Sequence, residues 1–238
     1  MPDPLTSPDP QRSDALLLLG IDTCGPIGSV ALGRLTACGV EILGQIELEG
    51  RSYSATLIAV AGDLLSQAGA HVADLGCIVA VNGPGSFTGV RVGLSAIKGL
   101  AEPTGISVVA VSRLEVLAWK AGVASSALDA HRSEVFLRLS MPGKTPQERL
   151  AGAADLAALA APPHRVAVGD DSAAVLIRSG WPAAEVIRVP APSAADALLH
   201  GAPRIAAGKF VDLALLDGHY LRRSDAEIFG EPAAARRA

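Results

Sequence analysis

Residues 77–93 constrain the fold more than any other stretch of the chain. Positions 77–81 are continuously apolar, too short for a helix and bounded by turn residues, which is the pattern of a strand buried on both faces. The run passes straight into Asn82-Gly83-Pro84-Gly85 and then into a helical pattern over 86–101. A second apolar strand follows at 106–111 and a second helix at 113–121. Strands separated by helices pair in parallel through crossovers, so this part of the chain requires a sheet with helices packed against it.

The segment ahead of it has a different rhythm. Residues 16–23 are an apolar run that ends in an acid, Gly25-Pro26 supplies a turn, and 29–35 reads as the returning strand. Over 41–49, Ile42, Ile46 and Leu48 alternate imperfectly with polar residues and give a third strand, closing an antiparallel meander. From 53 to 67, Leu57, Val60, Ala61, Leu64 and Leu65 recur at helical spacing, with Ser52 or Ser54 as the cap, and the opposite face is unusually apolar too. Residues 15–122 therefore read as one lobe built on a mixed sheet.

The second lobe, 123–229, opens with an echo of the first. Ile21-Asp22 leads into a returning strand, and Leu128-Asp129 does the same ahead of 134–139, which suggests a duplicated hairpin. Beyond it the pattern predicts an alanine-rich helix over 146–160, a strand at 165–168 and a short helix at 173–179. A strand at 185–189 and a helix over 193–207, capped by Ser193 and stopped at Gly208, complete it. Residues 1–14 hold four prolines and no apolar run, so they read as a disordered leader and not as a signal peptide. Residues 230–238 read as a frayed tail.

Composition narrows the chemistry. Half of the 238 residues are hydrophobic but only 3% are aromatic, so the core is built from Ala, Val, Leu and Ile with closely approaching backbones. A formal charge of -4 gives no general attraction for a phosphate backbone. Cys24, Cys38 and Cys77 form no Cys-x-x-Cys pair, and a reducing cytoplasm suits them. The histidines at 71, 131, 164, 200 and 219 include no pair three to five apart, so no helical two-histidine metal site is expected. No apolar stretch approaches the roughly 20 residues that span a bilayer. The Gly-x-Ser-x-Gly elbow of serine hydrolases is also absent.

The run from Asn82 to Gly93 could present backbone amides to an anion at a helix start. It is not a Walker A loop, since Val90 and Arg91 follow Gly89 where Lys and Ser/Thr belong, and Pro84 removes one donor. In the plainer reading, Gly83 and Gly85 supply backbone angles closed to other residues and Ser86 or Thr88 caps the helix. Within that helix Gly89, Gly93 and Ala96 share one face, flanked by Val90, Leu94 and Ile97, so a second helix could approach its backbone closely. Asp22 and Thr23, at a strand end, are candidate nucleotide contacts, through a phosphate or the water shell of a magnesium ion.

Ile21-Asp22-Thr23 with Ser29-Val30-Ala31-Leu32, the run from Gly83 to Arg91, the stretch 127–135 and Tyr220-Leu221-Arg222 resemble the TsaB (YeaZ) family. The similarity covers nearly everything from Leu16 to about Asp225. It implies an α/β actin-like fold (ASKHA, ribonuclease H-like) of two lobes with mixed sheets. It further implies a cytoplasmic, non-catalytic scaffold role in making N6-threonylcarbamoyladenosine in tRNAs that read ANN codons. The related transferase TsaD carries the chemistry on a helical His-x-x-x-His metal site that this chain lacks.

By the same resemblance, the helices at 53–67 and 86–101 bind TsaD in a heterodimer, or a second copy in a homodimer, and the ATPase TsaE joins the pair. The implied interface is Tyr53, Leu57, Val60, Ala61, Leu64, Phe87, Gly89, Val90, Gly93, Leu94, Ala96 and Ile97. The resemblance implies no metal and no cofactor of the chain's own, ATP or ADP at the complex interface, and tRNA reached only through the partner. Two departures stand out: Tyr53-Ser54 where many relatives carry His-Ser, and Gly218-His219 where they carry a Pro before Tyr-Leu-Arg. The competing classes are a metal-dependent ASKHA acyltransferase, ATPase or glycoprotease acting alone, and a direct tRNA-binding module.

Overall fold

The computed structural model describes residues 15–49, 52–162 and 165–222; the leader at 1–14 and the tail at 230–238 lie outside the described residues. Strands β1 (Leu16–Asp22), β2 (Ile27–Thr36) and β3 (Gly39–Glu49) form the meander, and α1 (Tyr53–Gln67) follows. Next come β4 (Leu75–Val81), α2 (Phe87–Thr104) and β5 (Ser107–Val111). The sheet runs β3-β2-β1-β4-β5, antiparallel across β1, β2 and β3 and parallel across β1, β4 and β5. Strand β4 is buried almost throughout, as its unbroken apolar run requires.

Helix α3 (Arg113–Lys120) precedes the second sheet, made from β6 (Ser125–Asp129), β7 (Glu134–Leu139), β8 (Gln147–Gly152), β9 (Val166–Val168) and β10 (Val186–Arg188). Helices α4 (Ala153–Ala158) and α5 (Asp171–Gly180) lie between its later strands, and α6 (Ala194–Ala206) is the last helix among the described residues. Reading from β8, the order is β8-β7-β6-β9-β10, with the same alternation of antiparallel and parallel pairs as in the first sheet. The echo between Asp22 and Asp129 is therefore a repeat of a whole sheet. Two ribonuclease H-like sheets in one chain make the actin-like fold.

Two expectations are corrected. The alanine-rich helix over 146–160 is the strand β8 followed by the six-residue α4. Leu150 pairs with Phe136 and Ala151 with Val135 across the ladder, and this pairing overrides local helix propensity. The lobe boundary is also more involved than a cut at residue 122. Leu114 and Leu117 of α3 pack with Leu128, Phe136 and Ala167 of the second sheet, whereas Ala194, Ala197, Leu198 and Ile205 of α6 belong to the core of the first. Each sheet is thus covered partly by a helix from the other half of the sequence.

The two exchanged helices meet at a charged seam. Lys120 Nζ lies 2.7 Å from Asp196 Oδ2, and Glu115 sits beside Arg204 and 3.0 Å from His200 Nε2. Burial pushes the Glu115 carboxyl upward, but the adjoining His200 and the charge of Arg204 outweigh it and hold the group at about 2. Its folded value lies below its ordinary 4.5, so its contribution is complete above about 4.5 and drains away as pH falls toward 2. Urea titrations across that window should show up to ~3 kcal/mol of pH-dependent stability that Glu115→Gln lacks. Equal acid slopes for both proteins would exclude the seam as their source.

Candidate functional site

The β1–β2 turn and its counterpart between β6 and β7 face one another across a cleft of about 1100 Å³. Tyr53, Phe87, Phe136 and Tyr220 give it apolar walls, and Asp129, His131, Arg132 and Asp170 line its side in the second sheet. The repeat extends to side chains. Asp22 Oδ1 accepts from the Cys24 amide at 2.8 Å, and Asp129 Oδ1 accepts from the His131 amide at 2.8 Å. A carboxylate accepting from the amide two residues on fixes a tight turn at each strand end.

The two acids then diverge. Arg113 Nε donates to Asp22 Oδ2 at 3.2 Å, and both side chains are buried, at 7% and 1% exposure. With one oxygen on an amide and the other on a guanidinium, Asp22 does not line the cleft. Thr23 is also buried, and its hydroxyl donates to the Gly89 carbonyl at 2.7 Å. Asp22 and Thr23, the possible nucleotide contacts, are buried and bonded within the chain, and neither side chain lines the cleft. Asp129 remains at the cleft wall, with Oδ2 3.1 Å from the exposed His131 Nδ1.

Other reactive groups nearby are held in their protonated forms. Burial, and then the charge of Asp22, pushes the Cys24 thiol well above its ordinary range, and its Sγ donates to the Val81 carbonyl at 3.3 Å. The Tyr53 hydroxyl, raised to about 12 by burial and then by Asp22, donates to the Gly25 carbonyl at 2.7 Å. Neither is a ready nucleophile at neutral pH. Among the described residues, no group of three or more His, Cys, Asp and Glu side chains could hold a metal ion.

The glycine turn behaves as a structural hinge between β4 and α2. Gly83 adopts a φ of +119°, as read from the sequence, whereas Gly85 is needed for space, because a Cβ there would stand 2.1 Å from the Cys24 carbonyl oxygen. Ser86, not Thr88, caps α2 by accepting from the Gly89 amide at 3.3 Å.

The small-residue face of α2 is filled by the chain itself. Gly89 and Gly93 both lie against Thr23, so the gap they leave is occupied by the end of β1 and is not open to a second polypeptide. Tyr53, Leu57, Ala61, Leu64, Gly89, Val90, Gly93, Leu94 and Ile97 are all buried in the chain's own core. Only Val60, Phe87 and Ala96 of the expected interface are partly exposed. The periodicity identified the faces correctly but assigned the inward ones to a partner.

The outward faces have their own character. On α1, Ala55, Ile58, Ala59, Gly62 and Ser66 are exposed, Ile58 to 52%, and Asp63 is the sole charged residue between 53 and 67. On α2, Thr88, Arg91, Ser95 and Gly99 form the exposed ridge. Added Cβ atoms at Gly62 and Gly99 would meet nothing within 4 Å. An exposed mid-helix glycine costs roughly 1 kcal/mol relative to alanine, and here no contact within the chain requires it.

Sequence reasoning did not find Arg113, or the hub at Glu148. Glu148 accepts from Ser112 Oγ at 2.6 Å and Arg138 Nη1 at 2.8 Å, and lies 2.9 Å from His219 Nε2. Its own burial raises its carboxyl, but these neighbours together lower it. Residues 216–222 run over both lobes from there. The His219 amide donates to the Asn82 carbonyl at 2.7 Å, the Tyr220 ring packs at a tilt against Phe87 with centroids 4.9 Å apart, and Arg222 pairs with Glu134.

The sequence family described as "TsaD: tRNA N6-adenosine threonylcarbamoyltransferase" matches residues 42–162. The tRNA threonylcarbamoyladenosine biosynthesis protein TsaB of Escherichia coli is 32% identical over 128 residues, covering 50% of this chain and 52% of that protein. The Bacillus subtilis protein of the same name is 33% identical, over 52% of this chain and 55% of that one. A crystal structure from Pseudomonas aeruginosa, described as similar to peptidase YEAZ, superposes with a TM-score of 0.71 at 26% identity, covering 87% of this chain and 100% of that one. The chain belongs to the TsaB/YeaZ family. It spans about half the length of the curated TsaB relatives it matches. The match to the TsaD description covers β3 through α4 of this TsaB/YeaZ chain, so it takes in parts of both sheets.

Proposed function

We propose that the chain is a non-catalytic docking subunit in the synthesis of N6-threonylcarbamoyladenosine in tRNA, and that it binds a TsaD-type transferase through the outward face of α1 and α2. The observation that carries this reading is the exposed, nearly uncharged surface of α1, with Ile58 raised on it and the open Gly62 below. A solvent helix normally carries charge on its outer face, and a glycine with no neighbour of its own suits a backbone that another helix approaches closely. The names of the TsaB relatives support the pathway. The closed Asp22–Arg113 pair and the protonated Cys24 support a role without chemistry.

In this reading a second copy occupies the same face when the transferase is absent, and TsaE joins the heterodimer. ATP or ADP belongs at the subunit junction, and tRNA is met through the partner, in the cytoplasm. Gly62→Arg tests it. The isolated variant should melt at or above the wild-type temperature, since arginine is the better helix former and meets open space. It should sediment as a monomer and fail to co-purify with TsaD from the same organism. An unchanged assembly, or turnover by the lone chain given a divalent metal, ATP and a threonylcarbamoyl donor, would overturn the reading.

A further inference from the structure

Beside the outward ridge of α2 runs a groove of about 320 Å³, closed on its far side by residues 216–220. Phe87, Arg91, Ser95 and Lys98 form its helical wall, and Asp217 and Tyr220 face them. The Arg91 guanidinium carbon lies 3.8 Å from the centre of the Phe87 ring and 6.0 Å from that of Tyr220, and those two rings are 4.9 Å apart. Arg91 therefore rests over the Phe87 ring beside Tyr220, and part of the conformational cost of presenting it has already been met in folding.

Among the described residues, neither Arg91 nor Lys98 has a carboxylate within ion-pair distance. The acid in the groove, Asp217, accepts from the amide of its own neighbour Gly218 at 2.7 Å. An arginine seated over an aromatic ring, whose N–H groups meet no acceptor among the described residues, on a ridge that continues to Gly99, is suited to receive an acceptor from outside.

We propose that this groove receives an acidic segment of the docking polypeptide, with one of its carboxylates seated on Arg91 and a second near Lys98. The inference rests on the outward face of α1 and α2 being the docking surface and names the chemistry of what reaches its edge. A protein carboxylate suits the groove better than a phosphate. The Gly89 amide at the start of α2 is already taken by Ser86, and Asp217 disfavours a multiply charged ligand.

The test is the affinity of the full chain for TsaD from the same organism at several salt concentrations, for wild type, Arg91→Gln, Arg91→Lys, Phe87→Leu and Gly62→Arg. Arg91→Gln should bind about tenfold more weakly with a flatter salt dependence, because a charged anchor is lost. Arg91→Lys should recover only part of the loss, since it keeps the charge but not the planar fork, and Phe87→Leu should weaken binding a few-fold while keeping the salt slope. Arg91 is exposed, so an unchanged melting temperature for Arg91→Gln shows that the effect lies in association. Wild-type affinity and salt slope in Arg91→Gln, with Gly62→Arg unable to bind, would sink the groove and leave the docking face standing. Wild-type affinity in Gly62→Arg would sink the docking face itself. Arg91-dependent binding of inorganic phosphate to the free chain would overturn the choice of a protein carboxylate.

Discussion

Replacing Arg113 by methionine should cost ~3–5 kcal/mol of folding stability, because it leaves the Asp22 carboxylate buried with its cation removed. Asp22 is 1% exposed and does not line the cleft, whereas Cys24, Tyr53 and Arg113 do. The double variant Asp22→Asn/Arg113→Met should be far less damaged than the single one, since a neutral amide can still accept from the Cys24 amide and no charge remains to be desolvated. Chemical denaturation of the four proteins of this cycle supplies the measurement. A double variant as unstable as the sum of the singles would show that the two residues act independently, contrary to their 3.2 Å contact.

Gly89→Ala should be comparably severe, at ~3 kcal/mol or more, because its new Cβ would stand 2.1 Å from the Thr23 carbonyl oxygen, a backbone atom that cannot swing aside. Gly93→Ala should be milder. Its Cβ would meet the Thr23 hydroxyl at 2.3 Å, and that side chain can rotate at the loss of one hydrogen bond to the Gly89 carbonyl, a matter of ~1 kcal/mol. Adding Thr23→Ala should therefore relieve Gly93→Ala and leave Gly89→Ala unrelieved. Thermal melts of both pairs decide it, and equal relief in both would mean that the helix shifts as a body.

These two cases show where the sequence was legible. The parallel strands, a cap for α2 at Ser86 or Thr88 and the cap at Ser193 are legible in the sequence, because a period, a turn or a cap is decided within a few residues. The repeat signalled by Asp22 and Asp129 was visible for the same reason. The Asp22–Arg113 contact spans 91 positions, and nothing local marks Arg113 as anything but the first residue of a helix.

The stripe of Gly89, Gly93 and Ala96 posed a different difficulty. Periodicity shows that small residues share a face, but what fills the space against them depends on the tertiary fold, and the filler is Thr23 of the same chain. The apolar outer side of α1 is legible in the sequence, yet the residues that stand out by helical spacing are the inward ones. Glu148 lies in a stretch whose alanine-rich composition favours a helix, whereas the ladder to β7 makes it a strand.

The exchange of α3 and α6 between the sheets governs how the gene can be dissected. A break after residue 122 would give an amino-terminal piece whose first sheet is stripped of Leu198 and Ile205. The carboxy-terminal piece would lose Leu114 and Leu117 from beneath Phe136. Each fragment would expose the apolar surface that the other was meant to cover, so the halves of this molecule, though built to one plan, are obligate complements of a single translation product.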